Sequence, residues 1–171
     1  MMKRNTLLAL TLFMGFFTLT ATAQEKKKAS PPASVKETIS SGATIAIDYS
    51  QPSVKGRKIG EEIAPYGKVW RTGANDATTF EVSKDVKVEG KTLPAGKYGV
   101  YTIPGEKEWI IIFNKTWKQW GTKYAEADDA LRVTVKPTKS PVFTEQMTFK
   151  IDKSGKVTLL WGDQSVAFRV K

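Results

Sequence analysis

The densest polar constellation in the sequence is Lys68-Val69-Trp70-Arg71-Thr72-Gly73-Ala74-Asn75-Asp76. A guanidinium at Arg71 offers a rigid fork of donors that matches a carboxylate or a phosphate. Asn75 and Asp76 follow closely and can hydrogen-bond sugar hydroxyls or an amide. Asp48, in Asp48-Tyr49-Ser50, can approach Arg71 across strands. The expected ligand-binding set is therefore Asp48, Lys68, Trp70, Arg71, Asn75 and Asp76. A plain structural account covers the same residues. Asn-Asp after Gly-Ala is ordinary turn chemistry, and Arg71 can serve as a strut paired with Asp48 or Asp76.

The chain has His 0 and Cys 0. That removes the Ser-His-Asp triad, the thiol nucleophile and the usual His/Cys zinc site. No glycine-rich phosphate loop stands between a strand and a helix. Neither cofactor nor metal is expected. Glu126, Asp128 and Asp129 offer oxygen ligands but lack a calcium-loop pattern, so a solvated acidic turn is the plainer reading. Catalysis would fall to Asp, Glu, Lys, Tyr, Ser and Arg. Five tryptophans raise the question of carbohydrate stacking. Trp109 and Trp161 lie in apolar strands and read as core. Trp117 and Trp120 lie in an irregular stretch beside Lys118 and Gln119, and are the better stacking candidates. The alternative is a loop folded down by its own tryptophans.

These residues need a frame to hold them, and the frame is written in period-2 alternation. Residues 86–114 read as short strands hinged at Glu89-Gly90, Pro94-Ala95-Gly96 and Pro104-Gly105. Tyr98 and Val100 face one side, Gly99 and Tyr101 the other. Trp109 to Phe113 is almost continuously apolar, as a strand covered on both faces would be. Residues 34–40 and 43–49 form a first hairpin about Ser41-Gly42. Residues 50–60 are loop, 69–72 a brief strand, and 78–82 a strand with Thr78, Phe80 and Val82 on one face. Residues 114–130 read as a crossover between two sheets. Leu131, Val133 and Val135 alternate up to Pro137, and 141–144 read as linker. Then come three strands, 147–151, 157–161 and 166–170, turned at residues 152–155 and at Gly162-Asp163. About ten short strands with regular turn punctuation predict an all-β, mainly antiparallel sandwich with little helix, in a jelly-roll arrangement as one variant.

The N-terminus carries Lys3 and Arg4, an apolar run from Leu7 to Leu19, and Ala21-Thr22-Ala23 before Gln24. These are the three regions of a secretory signal peptide over residues 1–23. A flexible leader over 24–34 and a single domain over 35–171 would follow. The expected location is periplasmic or secreted, with no membrane span after cleavage. The formal charge is +10; without Lys3 and Arg4 it is +8. The lysines are scattered with no recognition motif, so no nucleic-acid partner is expected.

Three stretches, SQPSVKGRKIGEEIAPYGKVWRTGANDATTF, LPAGKYGVYTIPG and WIIIFNKTWKQWG, resemble the domain of unknown function 2911 family of small secreted bacterial proteins. The resemblance spans about 34–137 and implies one exported β domain. It marks 65–76 and 93–105 as signature segments and carries over no catalytic role. The function expected is a non-enzymatic binding or envelope-associated module, for a small anionic or sugar-like ligand or a protein partner. The alternative is a hydrolase or lyase using carboxylates, with Asp48, Arg71 and Asp76 first in line.

Overall fold

A computed structural model describes residues 30–171. The expected signal peptide and most of the expected leader lie outside the described residues. Ten strands follow in order: β1 (Pro32–Thr38), β2 (Thr44–Ser50), β3 (Thr78–Val82), β4 (Val86–Val88), β5 (Lys91–Leu93), β6 (Gly96–Ile103), β7 (Trp109–Asn114), β8 (Asp129–Val135), β9 (Thr138–Ile151) and β10 (Lys156–Arg169). The described residues contain no α-helix, only one 3-10 turn at Glu126–Asp128. No helix among them is long and apolar enough to cross a membrane.

Six strands make one antiparallel sheet in the order β1-β2-β3-β6-β7-β8. Consecutive strands are neighbours apart from the β4–β5 excursion, so the order is a meander and not that of a jelly roll. The long β9–β10 ribbon covers the inner face of this sheet. The β4–β5 hairpin joins the same cover, since Lys87 and Lys171 exchange backbone hydrogen bonds of 2.8 and 2.9 Å. Its two-residue turn places Glu89 and Gly90 at φ +47° and +81°. Left-handed backbone at both central positions is what a tight, right-twisted hairpin requires.

Alternation sets the layers. Ile45, Ile47 and Tyr49 of β2 are buried, while Asp48 between them is exposed. Phe113 meets Phe80 at 5.0 Å and Phe168 at 5.8 Å, both edge-on, and so links β3 and β7 to β10. Tyr49 stands edge-on to Phe149, whose backbone N–H donates to the Tyr49 hydroxyl at 3.1 Å. Trp70 stacks flat on Trp161 at 5.0 Å. β7 is buried on both faces, as its apolar run predicts: Ile111 and Phe113 join the main core, and Ile112 joins a small outer cluster with Tyr101 and Ala77.

Four expectations are corrected. Strand β1 begins at Pro32, inside the expected leader; proline is tolerated there because β1 is an edge strand and Pro32 its first residue. Residues 114–130 do not cross between sheets, because β7 and β8 pair side by side, with Asn114 opposite Asp129. Residues 141–144 are not a linker but part of β9, at a register shift where a strand proline loses no ladder bond. Gly162 is not a turn; at φ +58° it kinks β10 within one continuous strand, so the expected three-strand meander is a bent two-strand ribbon.

Candidate functional site

The outer face of the six-stranded sheet is where polar side chains gather. Register puts Asp48 of β2 opposite Thr79 of β3, Thr79 opposite Gly99 of β6, and Gly99 opposite Asn114 of β7. One step along, Lys97 of β6 lies opposite Glu81. The Lys97 ammonium bridges two carboxylates, 3.4 Å from Asp48 and 3.4 Å from Glu81. It also stands 5.0 Å from the centre of the Trp117 ring.

The 115–128 loop is seated on this face at Gly99. A Cβ there would lie 3.0 Å from the Thr116 carbonyl oxygen and 3.4 Å from the Trp117 Cα. Any side chain would lift the loop. Buried Asn114 fixes its two ends: its amide donates to the Ala125 carbonyl and to Asp129 Oδ1, both at 2.9 Å, and its oxygen accepts the Thr116 N–H at 3.0 Å. Asp129 Oδ2 accepts from the Tyr124 hydroxyl and from Arg132 Nε, each at 2.7 Å. Tyr101 donates to the Lys123 carbonyl at 2.8 Å and accepts from Gln119 at 3.0 Å. Burial pushes the Tyr124 phenol up to about 12, with its bond to Asp129 acting in the same direction. The bond to Asp129 raises Arg132 above its ordinary value. The acidic stretch is thus a loop latch, and no group of metal-binding side chains occurs among the described residues.

Held this way, the loop walls a groove of about 570 Å³ over strands β1, β2, β3 and β6. Asp48, Asp76, Lys97, Trp117, Gln119 and Trp120 contribute to its lining. Trp117 and Trp120 remain 37% and 49% exposed, so the loop is not folded down over its own tryptophans. A second groove of about 430 Å³ lies alongside, lined by Trp70, Arg71, Tyr101 and Tyr124 among others. Trp120 lines the first and Arg71 the second, and the Arg71 guanidinium carbon lies 5.9 Å from the Trp120 ring centre.

The residues singled out in the sequence separate accordingly. Asp48 and Asp76 share the first groove, and Trp70 and Arg71 border the second. Asn75, at φ +60°, donates its amide to the Ser30 carbonyl and the Ser50 hydroxyl, both at 3.2 Å, and ties the entry of β1 to the turn. Lys68 is exposed and lines neither groove. Arg71 forms no ion pair with Asp48 or Asp76; Asp48 is taken by Lys97, because β6 approaches it from the far side of β3. Lys97 and Gln119 are site residues absent from the expected set. Lys97 was legible, since alternation with Tyr98 sends it to the outer face; Gln119 had no signal beyond its neighbours.

Against protein-family models, residues 30–170 match the one described as protein of unknown function (DUF2911). No curated protein and no solved structure matches the chain.

Proposed function

The chain belongs to the DUF2911 family, whose function is unknown, and from its own surface we propose a non-enzymatic module that binds a sugar-like ligand in the groove beneath Trp117 and Trp120. The observation that carries this reading is two exposed indoles lining a groove that also presents the polar side chains of Asp48, Asp76, Lys97 and Gln119. A pyranose has a C–H face that packs on an aromatic ring and a rim of hydroxyls that needs fixed acceptors and donors. Asp48, Asp76 and the Gln119 side-chain oxygen supply acceptors, and Lys97 supplies donors, the Gln119 amide hydrogens being spent on Tyr101 and the Thr116 carbonyl. A hydrolase using Asp48 and Asp76 is the competing reading. Asp48 already accepts from Lys97 at 3.4 Å and Thr79 at 3.5 Å, which suits a fixed contact to a ligand better than a free nucleophile.

The test is a glycan array followed by titration of tryptophan fluorescence. Wild type should bind and leave the sugar intact. Trp117→Ala and Trp120→Ala should each weaken binding about tenfold or more, the scale of an interface hot spot, while melting within a degree or two of wild type. An array blank for wild type would end this reading, and steady release of cleaved product would replace it with the hydrolase.

Export belongs to the same proposal, supported by the residues Lys3, Arg4, Leu7 to Leu19 and Ala21-Thr22-Ala23. Mass spectrometry of the envelope fraction should find the N-terminal peptide beginning at Gln24. Recovery of that protein with Met1 intact would remove the signal peptide from the account.

A further inference from the structure

From the division of charge between the two grooves we infer that the ligand is a mixed acidic saccharide: a neutral sugar held in the Trp117–Trp120 groove, and an adjoining uronic acid whose carboxylate is read by Arg71 in the second groove. This rests on the sugar-binding reading above and narrows it.

The lining of the first groove sets Asp48 and Asp76 against Lys97 and Lys118, so its charges balance and no surplus cation calls for an anion, while the two carboxylates accept from sugar hydroxyls. The second groove has a single charged group in its lining, Arg71, with the phenols of Tyr101 and Tyr124 beside it. Arg71 is only partly exposed, yet it makes no ion pair among the described residues. Its one side-chain hydrogen bond among them runs from Nε to the Gly73 carbonyl at 3.4 Å. Among the described residues neither terminal nitrogen has a hydrogen-bond partner, and the guanidinium carbon lies 5.9 Å from the Trp120 ring centre. A half-buried guanidinium with its fork unused fits a planar carboxylate, which accepts two parallel hydrogen bonds.

The surroundings are shaped to keep Arg71 there. A Cβ at Gly121 would lie 2.5 Å from Arg71 Cδ and 2.9 Å from the Asn75 carbonyl oxygen, so only glycine lets the arginine stem pass beneath the loop. Thr72, next in sequence, holds φ +50°, a costly conformation for a β-branched residue. Its buried hydroxyl donates to Thr102 at 3.2 Å, and its carbonyl accepts from Thr78 at 2.8 Å. This strained turn sends Arg71 to one groove and Asp76 to the other. Trp120 sits between them, where one sugar of a chain can stack while the next reaches Arg71.

The experiment compares three tetrasaccharides of one linkage by fluorescence titration: all glucose, alternating glucose and glucuronate, and all glucuronate. The alternating chain should bind about tenfold tighter than either other, the worth of one charge-assisted contact. Added salt should shrink that advantage. Arg71→Gln should bring the alternating chain down to the all-glucose level, and Arg71→Lys should restore part of the difference. If either variant fails to fold, the wild-type ranking and its salt dependence still decide. An alternating chain no tighter than all-glucose, with all-glucose still binding, overturns the acidic assignment and leaves the sugar groove standing. An all-glucuronate chain that binds best overturns the division of charge between the grooves. Failure of all three, with a blank array, removes both readings.

Discussion

Phe113→Ala should lower stability by about 3–5 kcal/mol, the usual cost of deleting a buried phenyl. Phe113 is fully buried, and its ring contacts lie on both layers of the sandwich, with Phe80 beneath and Phe168 of β10 across. Alanine would leave a cavity where the six-stranded sheet and the ribbon meet. Neither neighbouring ring can fill it alone, because each is fixed by its own strand. With Cys 0 in the chain, no disulfide holds the layers together in place of this packing. Chemical denaturation should show a lower midpoint with an unchanged slope. A midpoint equal to wild type would mean that the layers are not joined at this ring.

Asp129→Asn should release the 115–128 loop, costing about 2 kcal/mol and abolishing the sugar binding proposed above. Asp129 is the common acceptor for Tyr124, Arg132 and Asn114, at 2.7, 2.7 and 2.9 Å. An asparagine of the same shape accepts on one side only and turns an N–H donor toward Tyr124 and Arg132, which are donors themselves. Charge-assisted bonds of this kind are worth up to a few kcal/mol each. The total is smaller because the Arg132 side chain is 32% exposed and keeps Glu126 at 3.1 Å. The same latch responds to base. Tyr124 is raised to about 12 when folded, above the ordinary 10, so the neutral phenol is favoured by the native state. Its contribution is fully present below pH 10 and is lost as pH climbs toward 12. Burial also raises Tyr66, Tyr98 and Tyr101 above the ordinary value, so absorbance titration should show the phenol that ionises near pH 12 in wild type missing from Tyr124→Phe, with those three unchanged. Simultaneous ionisation of all tyrosines near pH 10 would show the latch open, and an Asp129→Asn protein that still binds sugar would show it irrelevant to the groove.

What could be read from the residues was the alternation. Strands β3, β4 and β7 fall where Phe80, Val86 and Ile111 place them, and the first hairpin turns at Gly42, at φ +77°. Prolines and glycines misled where the fold uses their exceptions: Pro32 opens an edge strand, Pro141 sits at a register shift, and Gly162 kinks a strand without ending it. The 114–130 segment misled for another reason. Its return to the same sheet depends on Asn114 meeting Asp129, and on the bare backbone of Gly99 beneath Thr116, which are long-range contacts that no local pattern encodes. The site was half legible. Asp48, Asp76, Trp117 and Trp120 stood out by type, but the division into two grooves rests on where the Arg71 stem runs, and Gly121 decides that in space.

The entry of the chain has a practical corollary. Ser30 is held by Asn75 at 3.2 Å, Pro31 accepts from the Gln51 N–H at 2.8 Å, and Pro32 forms part of the wall of the first groove. An affinity tag or fluorophore fused just ahead of Ser30 would stand at the mouth of that groove and compete with whatever enters. At the opposite terminus, Lys171 is clasped by Lys87 and borders neither groove, which makes it the position for immobilising the protein on a sensor surface.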